Sequence, residues 1–416
     1  MPPFFRFLTL MAFEVFKKEK VEVSVVEVGV GGRTDSTNVV WPVVCGITSI
    51  GFDHMEVLGE TLGEIAGEKG GIIKKGIPSF TYSQAEEASQ VLKEKAAKAE
   101  SLLTFVETIQ LPPSFPLAIE GQHQKLNASL AVALSFAWQK LHTSLQVHWN
   151  FLASKKEELS KPVLDFPQQT LIRQQVLGEM EKVESDEQVL RGLRECNWGG
   201  RNHQIDSPKI HNKPSPSLKL FVDGAHTPES ITASCQWFSS AISPSLPSPP
   251  SSSLPFPPSS SPPSPPSSSS SFTKQISALI FNCKTSKNME SLLSKLIHLH
   301  LNISPFSFVI FTTNTPFSKK GESGEDFSWQ KRMLSYWNEQ CEKAQHEKKS
   351  EDKCVANVLP SIEDKCVASI LPSIEDSLLF LEKNIPESTK ANVLVTGSLY
   401  LVGSLFDFID YDVNKI

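Results

Sequence analysis

A chain of 416 residues with 39% hydrophobic and 21% charged residues can bury a large core, and two domains are the expected organisation. The formal net charge of −6 at pH 7 offers no footprint for nucleic acid or an anionic membrane, so an anionic ligand would need a local basic cluster or a metal. Seven scattered cysteines without CxxC spacing indicate free thiols in a reducing compartment, and no stretch is long and apolar enough to span a membrane.

In chain order, Phe4, Phe7, Leu8, Met11, Val15 and Phe16 recur at roughly helical spacing. They predict a core helix, because two early prolines and the lack of a small-residue cleavage pattern argue against a signal peptide. Val21–Val28 and Val43–Ile50 are rich in valine and isoleucine and predict interior parallel strands covered on both faces. Helices are predicted over Thr61–Lys74, Ser83–Ala99 and Asn127–Gln139, with a strand at Ser101–Val106. Thr170–Arg194 reads as a further helix. Composition changes at CNWGGRNHQ, which divides a first domain, 1–197, from a second, 198–416.

In the second domain the expected strands are Leu218–Val222, Ile276–Phe281, Phe306–Thr312 and Val393–Thr396. Helices at Glu229–Phe238, Met289–His300 and Gln330–Lys349 lie between them, and the alternation indicates a smaller α/β unit. A Ser/Pro tract, 239–273, interrupts it and predicts a solvent-exposed, disordered insertion. EDKCVANVLPSI at 351–362 recurs as EDKCVASILPSI at 363–374, and this duplication, near 351–376, reads as a surface connector.

Several of these segments carry groups suited to chemistry. Glu27 interrupts an apolar strand just before a GxGG loop, and burying its carboxylate there implies a cation or a hydrogen-bond network. Asp53 and His54 end the second strand, and Lys69 follows on a helix. Together they suggest a cation-assisted phosphate site. The same residues also permit a plainer arrangement, with Glu27 tied to an amide, His54 a strand-end hydrogen bonder and Lys69 a surface charge. Gly29, Gly31 and Gly32 allow tight turning, but a bare GxGG does not indicate NAD, and no GxxxxGK[ST] loop occurs in the sequence. Asp223 ends the Leu218–Val222 strand, His226 follows, and Pro228 opens the next helix. Arg201 offers a planar donor fork for phosphate or carboxylate, although a hinge arginine beside a helix cap would look the same.

FFRFLTLMAFEVF, EVGVGGRTDSTNVV, TSIGFDHMEVLGETLGEIAGEKGGI, GQHQKLNASLA, WGGR, FVDGAHTPES and VTGSLYLVG stand in this order along the chain. As an ordered set they resemble folylpolyglutamate synthases of eukaryotic, plant type, within the Mur-ligase-like ATP-dependent amide ligases. The resemblance implies an α/β fold: a P-loop-type nucleotide-binding domain, incomplete here, followed by a smaller Rossmann-like α/β domain. It implies ATP and Mg2+ as cofactors, with K+ in the same region. Glu27 and His54 would bind magnesium, with Lys69 carbamylated to complete the metal's surroundings. Gly31, Gly32, Arg33 and Asp35 would line the adjoining loop, and His123 and Asn127 would lie beside the nucleotide. Arg201, Asp223 and His226 would close over ATP, while Ser398 would support its domain rather than react.

The implied reaction adds L-glutamate to the γ-carboxylate of a tetrahydrofolyl-(poly)glutamate through an acyl phosphate, in a monomer with no nucleic-acid partner. A dihydrofolate synthase or bifunctional enzyme is the nearest alternative, and a noncatalytic isoform or binding fragment is the alternative of another class. The family's phosphate loop would precede the FRFLTL block, so the expectation is an N-terminally truncated sequence. The chain as written would be cytoplasmic, or mitochondrial or plastid if an upstream transit peptide exists.

Overall fold

The computed structural model describes residues 3–112, 114–155, 164–243, 274–285, 288–317, 326–351, 366–386 and 388–412, with side chains omitted at 143–155 and 348–351. The chain forms two compact units, Met1–Ala118 with Gln122–Cys196, and Ile119–Gly121 with Asn197–Ile416. Among the described residues no helix is long and apolar enough to cross a membrane.

The first unit runs α1 (Phe4–Glu19), β1 (Cys45–Ile47), α2 (Met55–Leu58), α3 (Leu62–Lys69), β2 (Ser79–Tyr82), α4 (Glu86–Lys98), β3 (Leu103–Val106), α5 (Gln122–Lys155), α6 (Phe166–Met180) and α7 (Glu187–Glu195). The strands form a parallel sheet in the order β1-β2-β3. Ile65 and Ala66 of α3 and Leu92 of α4 pack with Ile47 in one core. Phe80, Tyr82 and Val106 pack with α5 and with Ile172 and Val176 of α6 in the other. Local chemistry starts the helices: Thr61 and Glu64 form a reciprocal capping box at α3, and Asp165 and Gln168 form another at α6. Gln169, almost fully buried, accepts from Leu102 N at 2.6 Å and donates to the carbonyls of Glu100 and Leu164, pinning the start of α6 beside β3.

Several expectations are corrected here. Val21–Val28 is not a strand: Val21, Val23 and Val25 are exposed, and no described strand lies beside them to complete a ladder. The helix at Phe4–Glu19 forms, but it is not a core helix. Phe4, Phe5, Phe7, Leu10, Met11 and Val15 are exposed, and Thr9 is its buried residue. Thr170–Arg194 is two helices, because the Asp186 carboxylate accepts from Gln188 N and Val189 N and restarts the helix there. Strand β2 was not foreseen.

The second unit runs β4 (His203–Asp206), β5 (Lys209–Ile210), β6 (Lys213–Pro214), β7 (Leu218–Val222), α8 (Pro228–Ile242), β8 (Lys274–Phe281), α9 (Met289–Asn302), β9 (Phe306–Thr312), α10 (Ser328–Glu351), β10 (Val367–Leu371), α11 (Ile374–Asn384), β11 (Thr389–Thr396) and α12 (Leu399–Phe408). Its sheet has the order β10-β9-β8-β11-β7-β4, parallel except for β4 against β7. α8, α9 and α10 build the core on one face, and α11 and α12 the core on the other. Apolar side chains alternate accordingly: Leu394 enters the first core, Val393 and Val395 the second.

The expected connector at 351–376 is also corrected. The second copy of the duplicated unit supplies edge strand β10 and the Ser373 cap of α11, while residues 352–365 lie outside the described residues. Most of the Ser/Pro tract, 244–273, lies outside them too.

Candidate active site

In the second unit, β7 and β11 are adjacent parallel strands whose following helices, α8 and α12, pack on opposite faces. Loops part at such a switch point and leave a crevice at the carboxyl ends of the strands. The segment Asp223–Thr227 occupies that end of β7. Asp223 is buried; its Oδ2 accepts from Asn202 N at 2.9 Å and its Oδ1 from Ala225 N at 3.0 Å. Burial pushes this carboxyl above its ordinary range, opposed by the Asn202 N–H, by Arg201 and by His226.

A second bond, Gly224 N to Gly200 O at 2.9 Å, ties the loop to the WGGRN turn, where Gly200 has a φ of +80°. The ends of the Arg201 and Leu399 side chains lie over Gly224, so a Cβ there would meet Arg201 Nη1 at 2.5 Å and push that guanidinium aside. His226 Nδ1 lies 2.9 Å from Gly224 O. A carbonyl only accepts, so Nδ1 carries the proton and Nε2 is the basic nitrogen of the neutral ring. Thr227 then caps α8, with Pro228 in its first turn. Arg201, Asp223 and His226 are thus brought together. Ser398 caps α12 through Tyr400 N, a structural task.

In the first unit the loop Gly29–Val39 packs on the end of α3. Gly31 takes φ +69°, and a Cβ at Gly32 would lie 2.9 Å from the carbonyl oxygens of both Glu68 and Lys69. Arg33 donates its N–H to Glu68 O at 2.8 Å and its guanidinium to Glu68 Oε1 at 2.7 Å. Asp35 serves the loop itself, accepting from Val30 N, Thr37 N and Thr37 Oγ1. Burial pushes its carboxyl up, but the bonds from Thr37 and Val30 prevail and hold it below the usual range.

Lys69 is the last residue of α3, the helix end on which this loop packs. Burial lowers its pKa and Asp53 draws it back, so the neutral amine is more accessible than on an exposed lysine. His54 caps the short α2 in a left-handed conformation, with Nε2 3.7 Å from Asp53 Oδ2.

Glu27 is exposed and outside any strand, which corrects the expectation of a buried carboxylate. Among the described residues, no group of three or more His, Cys, Asp or Glu side chains is placed to hold a metal ion. An ammonium at Lys69 offers only donors. As arranged, Glu27, His54 and Lys69 do not fit the implied magnesium site.

On α5, Asn127 Oδ1 accepts from Tyr82 OH at 3.2 Å, and Tyr82 OH accepts from Ser49 N at 2.7 Å. Gln84 accepts from Ile50 N and donates to Thr48 O, so the loop after β1 is held from β2 and its continuation. His123 Nε2 accepts from the Gln124 amide, and burial lowers its pKa. Sequence reading missed Tyr82, Gln84 and Glu68. The Tyr-x-Gln spacing after an unforeseen strand was the available signal.

No protein-family model matches the chain. It is 33% identical over 425 aligned positions to a folylpolyglutamate synthase of Arabidopsis thaliana, covering 98% of this chain and 67% of that protein. The chain belongs to the folylpolyglutamate synthase family. A folylpolyglutamate synthase of Saccharomyces cerevisiae is 32% identical over 98% of this chain and 62% of its own length. The human mitochondrial folylpolyglutamate synthase is 37% identical over 58% of this chain, and the match spans 38% of that protein. Among solved structures, the Mycobacterium tuberculosis folylpolyglutamate synthase complexed with ADP and AMPPCP superposes with a TM-score of 0.57 at 20% identity. That match covers 98% of this chain and 73% of the solved one. The Thermotoga maritima folylpolyglutamate synthase gives 0.52 at 20% identity. The fold is therefore the two-domain, Mur-ligase-like α/β architecture of this family.

Proposed function

We propose that the protein ligates L-glutamate to the γ-carboxylate of a tetrahydrofolyl-(poly)glutamate at the expense of ATP. The observation that carries this reading is the convergence of Arg201, Asp223 and His226 at the β7 switch point of a chain that matches the family over nearly all its length. A γ-carboxylate oxygen attacks the terminal phosphorus of ATP, ADP leaves, and an acyl phosphate remains. The glutamate amine attacks the acyl carbon, phosphate departs, and the amine gives up a proton as the amide forms.

The Arg201 fork suits phosphate oxygens during transfer. Asp223 keeps the WGGRN turn and the Asp223–Thr227 loop in register, and His226 Nε2 is a base for the amine proton. In the first unit, His123 and Asn127 are the groups assigned to nucleotide contact, and Gly31, Gly32, Arg33 and Asp35 shape the loop packed on the end of α3. The lowered pKa of Lys69 favours the free amine that carbamylation requires.

The test uses protein isolated from its natural source, supplied with ATP, labelled glutamate and a tetrahydrofolate glutamate. The reading predicts one ADP per glutamate joined to folate. ADP release without folate-linked glutamate would refute it, and incorporation only with dihydropteroate as acceptor would replace it with dihydrofolate synthase.

A further inference from the structure

Three residues, Ile119–Gly121, belong to the second unit although the chain on both sides belongs to the first. Glu120 explains their attachment. Its Oε2 accepts from Trp237 Nε1 at 2.7 Å and from Gln204 Nε2 at 2.9 Å. Its backbone carbonyl accepts from the Asn202 side-chain amide.

Trp237 is buried on α8, so its indole N–H would lose a partner without Glu120. Asn202 is buried in a left-handed turn with φ +44°, a conformation asparagine enters more readily than most residues, and its side-chain amide is tied there to the Glu120 carbonyl. The same Asn202 presents its backbone N–H to Asp223 Oδ2 and follows Arg201 directly. A chain of bonds therefore runs from Trp237 and Gln204 through Glu120 and Asn202 to Asp223.

We propose that Glu120 is a positioning residue for the Arg201–Asp223 pair, holding the WGGRN turn so that the Asn202 N–H meets the Asp223 carboxylate. The role rests on the ligase reading for its catalytic meaning, but the anchoring can be read without turnover. Both side-chain bonds go to one oxygen, so Glu120→Gln, with a neutral carbonyl of the same reach, preserves them, whereas Glu120→Ala removes them.

The experiment compares the full-length wild type with Glu120→Ala and Glu120→Gln by amide hydrogen exchange at Asn202 and by steady-state kinetics. Glu120→Ala should speed Asn202 exchange about tenfold or more through local opening. It should lower kcat by about 10- to 100-fold while each KM stays within about threefold, because misplacement acts on the reacting geometry. Glu120→Gln should restore both. Unchanged Asn202 exchange in Glu120→Ala would overturn the proposal, as would faster exchange with unchanged kcat or failure of Glu120→Gln to rescue. A wild type without glutamate-dependent turnover would sink the ligase reading alone, and the exchange rates would still decide whether Glu120 holds the Asp223 loop.

Discussion

Two valine-rich segments of this chain end in opposite states. Val21–Val28 reads VEVSVVEV and stays outside any sheet, with Val25 93% exposed. Thr389–Thr396 reads TKANVLVT and becomes β11, paired on one side with β8 and on the other with β7, its Val393, Leu394 and Val395 fully buried. The apolar helices α1 and α12 repeat the contrast: Phe4 and Leu10 of the first are exposed, and Leu401 and Leu405 of the second are buried. Valine density states what a segment is able to bury. Ladder partners and covering layers decide whether it does so.

The contrast predicts unequal costs. Leu394→Ala should destabilise the second unit by about 2–5 kcal/mol, as a fully buried leucine leaves a cavity. Val25→Ala should stay within about 0.5 kcal/mol, as for an ordinary surface site. Urea unfolding measures both, and similar costs would break the comparison. Glycine-dependent packing at the first-unit loop should fall between these extremes. Gly32→Ala would force the Glu68 and Lys69 carbonyls aside, at about 1–3 kcal/mol by the same assay.

A smaller effect is expected where one hydroxyl joins two strand ends to α5. Tyr82→Phe removes the bonds to Ser49 N and Asn127 and should cost about 1 kcal/mol. Lys69 sharpens the account through its pH dependence. Burial depresses its pKa below 10.5, so the stability it contributes is present above that pH and is lost as pH falls through the lowered value. The wild type should therefore lose ground to Lys69→Met on moving from alkaline to neutral pH. A difference that is flat with pH would show that Lys69 is not desolvated.

The same logic explains what was legible. Leu218–Val222 and Phe306–Thr312 form strands at their expected bounds, because short apolar runs buried on both faces announce themselves. Strand β2 hid behind Ser79 and Thr81, buried hydroxyls whose hydrogen bonds are visible only in three dimensions. Strand β10 hid inside a near-identical repeat that reads as a connector, and its pairing with β9 is visible only in three dimensions. At the candidate site, Asp223 and His226 could be placed at a strand end from DGAHT alone. The bonds from Asn202 and Glu120 could not, since they join positions 21 and 82 residues apart. Glu27 misled because its surroundings read as a buried strand that does not form.

Oxygen tracing tests the proposed chemistry most directly. A tetrahydrofolate glutamate labelled with 18O in its γ-carboxylate is turned over with ATP and glutamate, and the released inorganic phosphate is weighed by mass spectrometry. An acyl phosphate requires one labelled oxygen to pass from carboxylate to phosphate in each turnover. Unlabelled phosphate accompanying amide formation would contradict that intermediate.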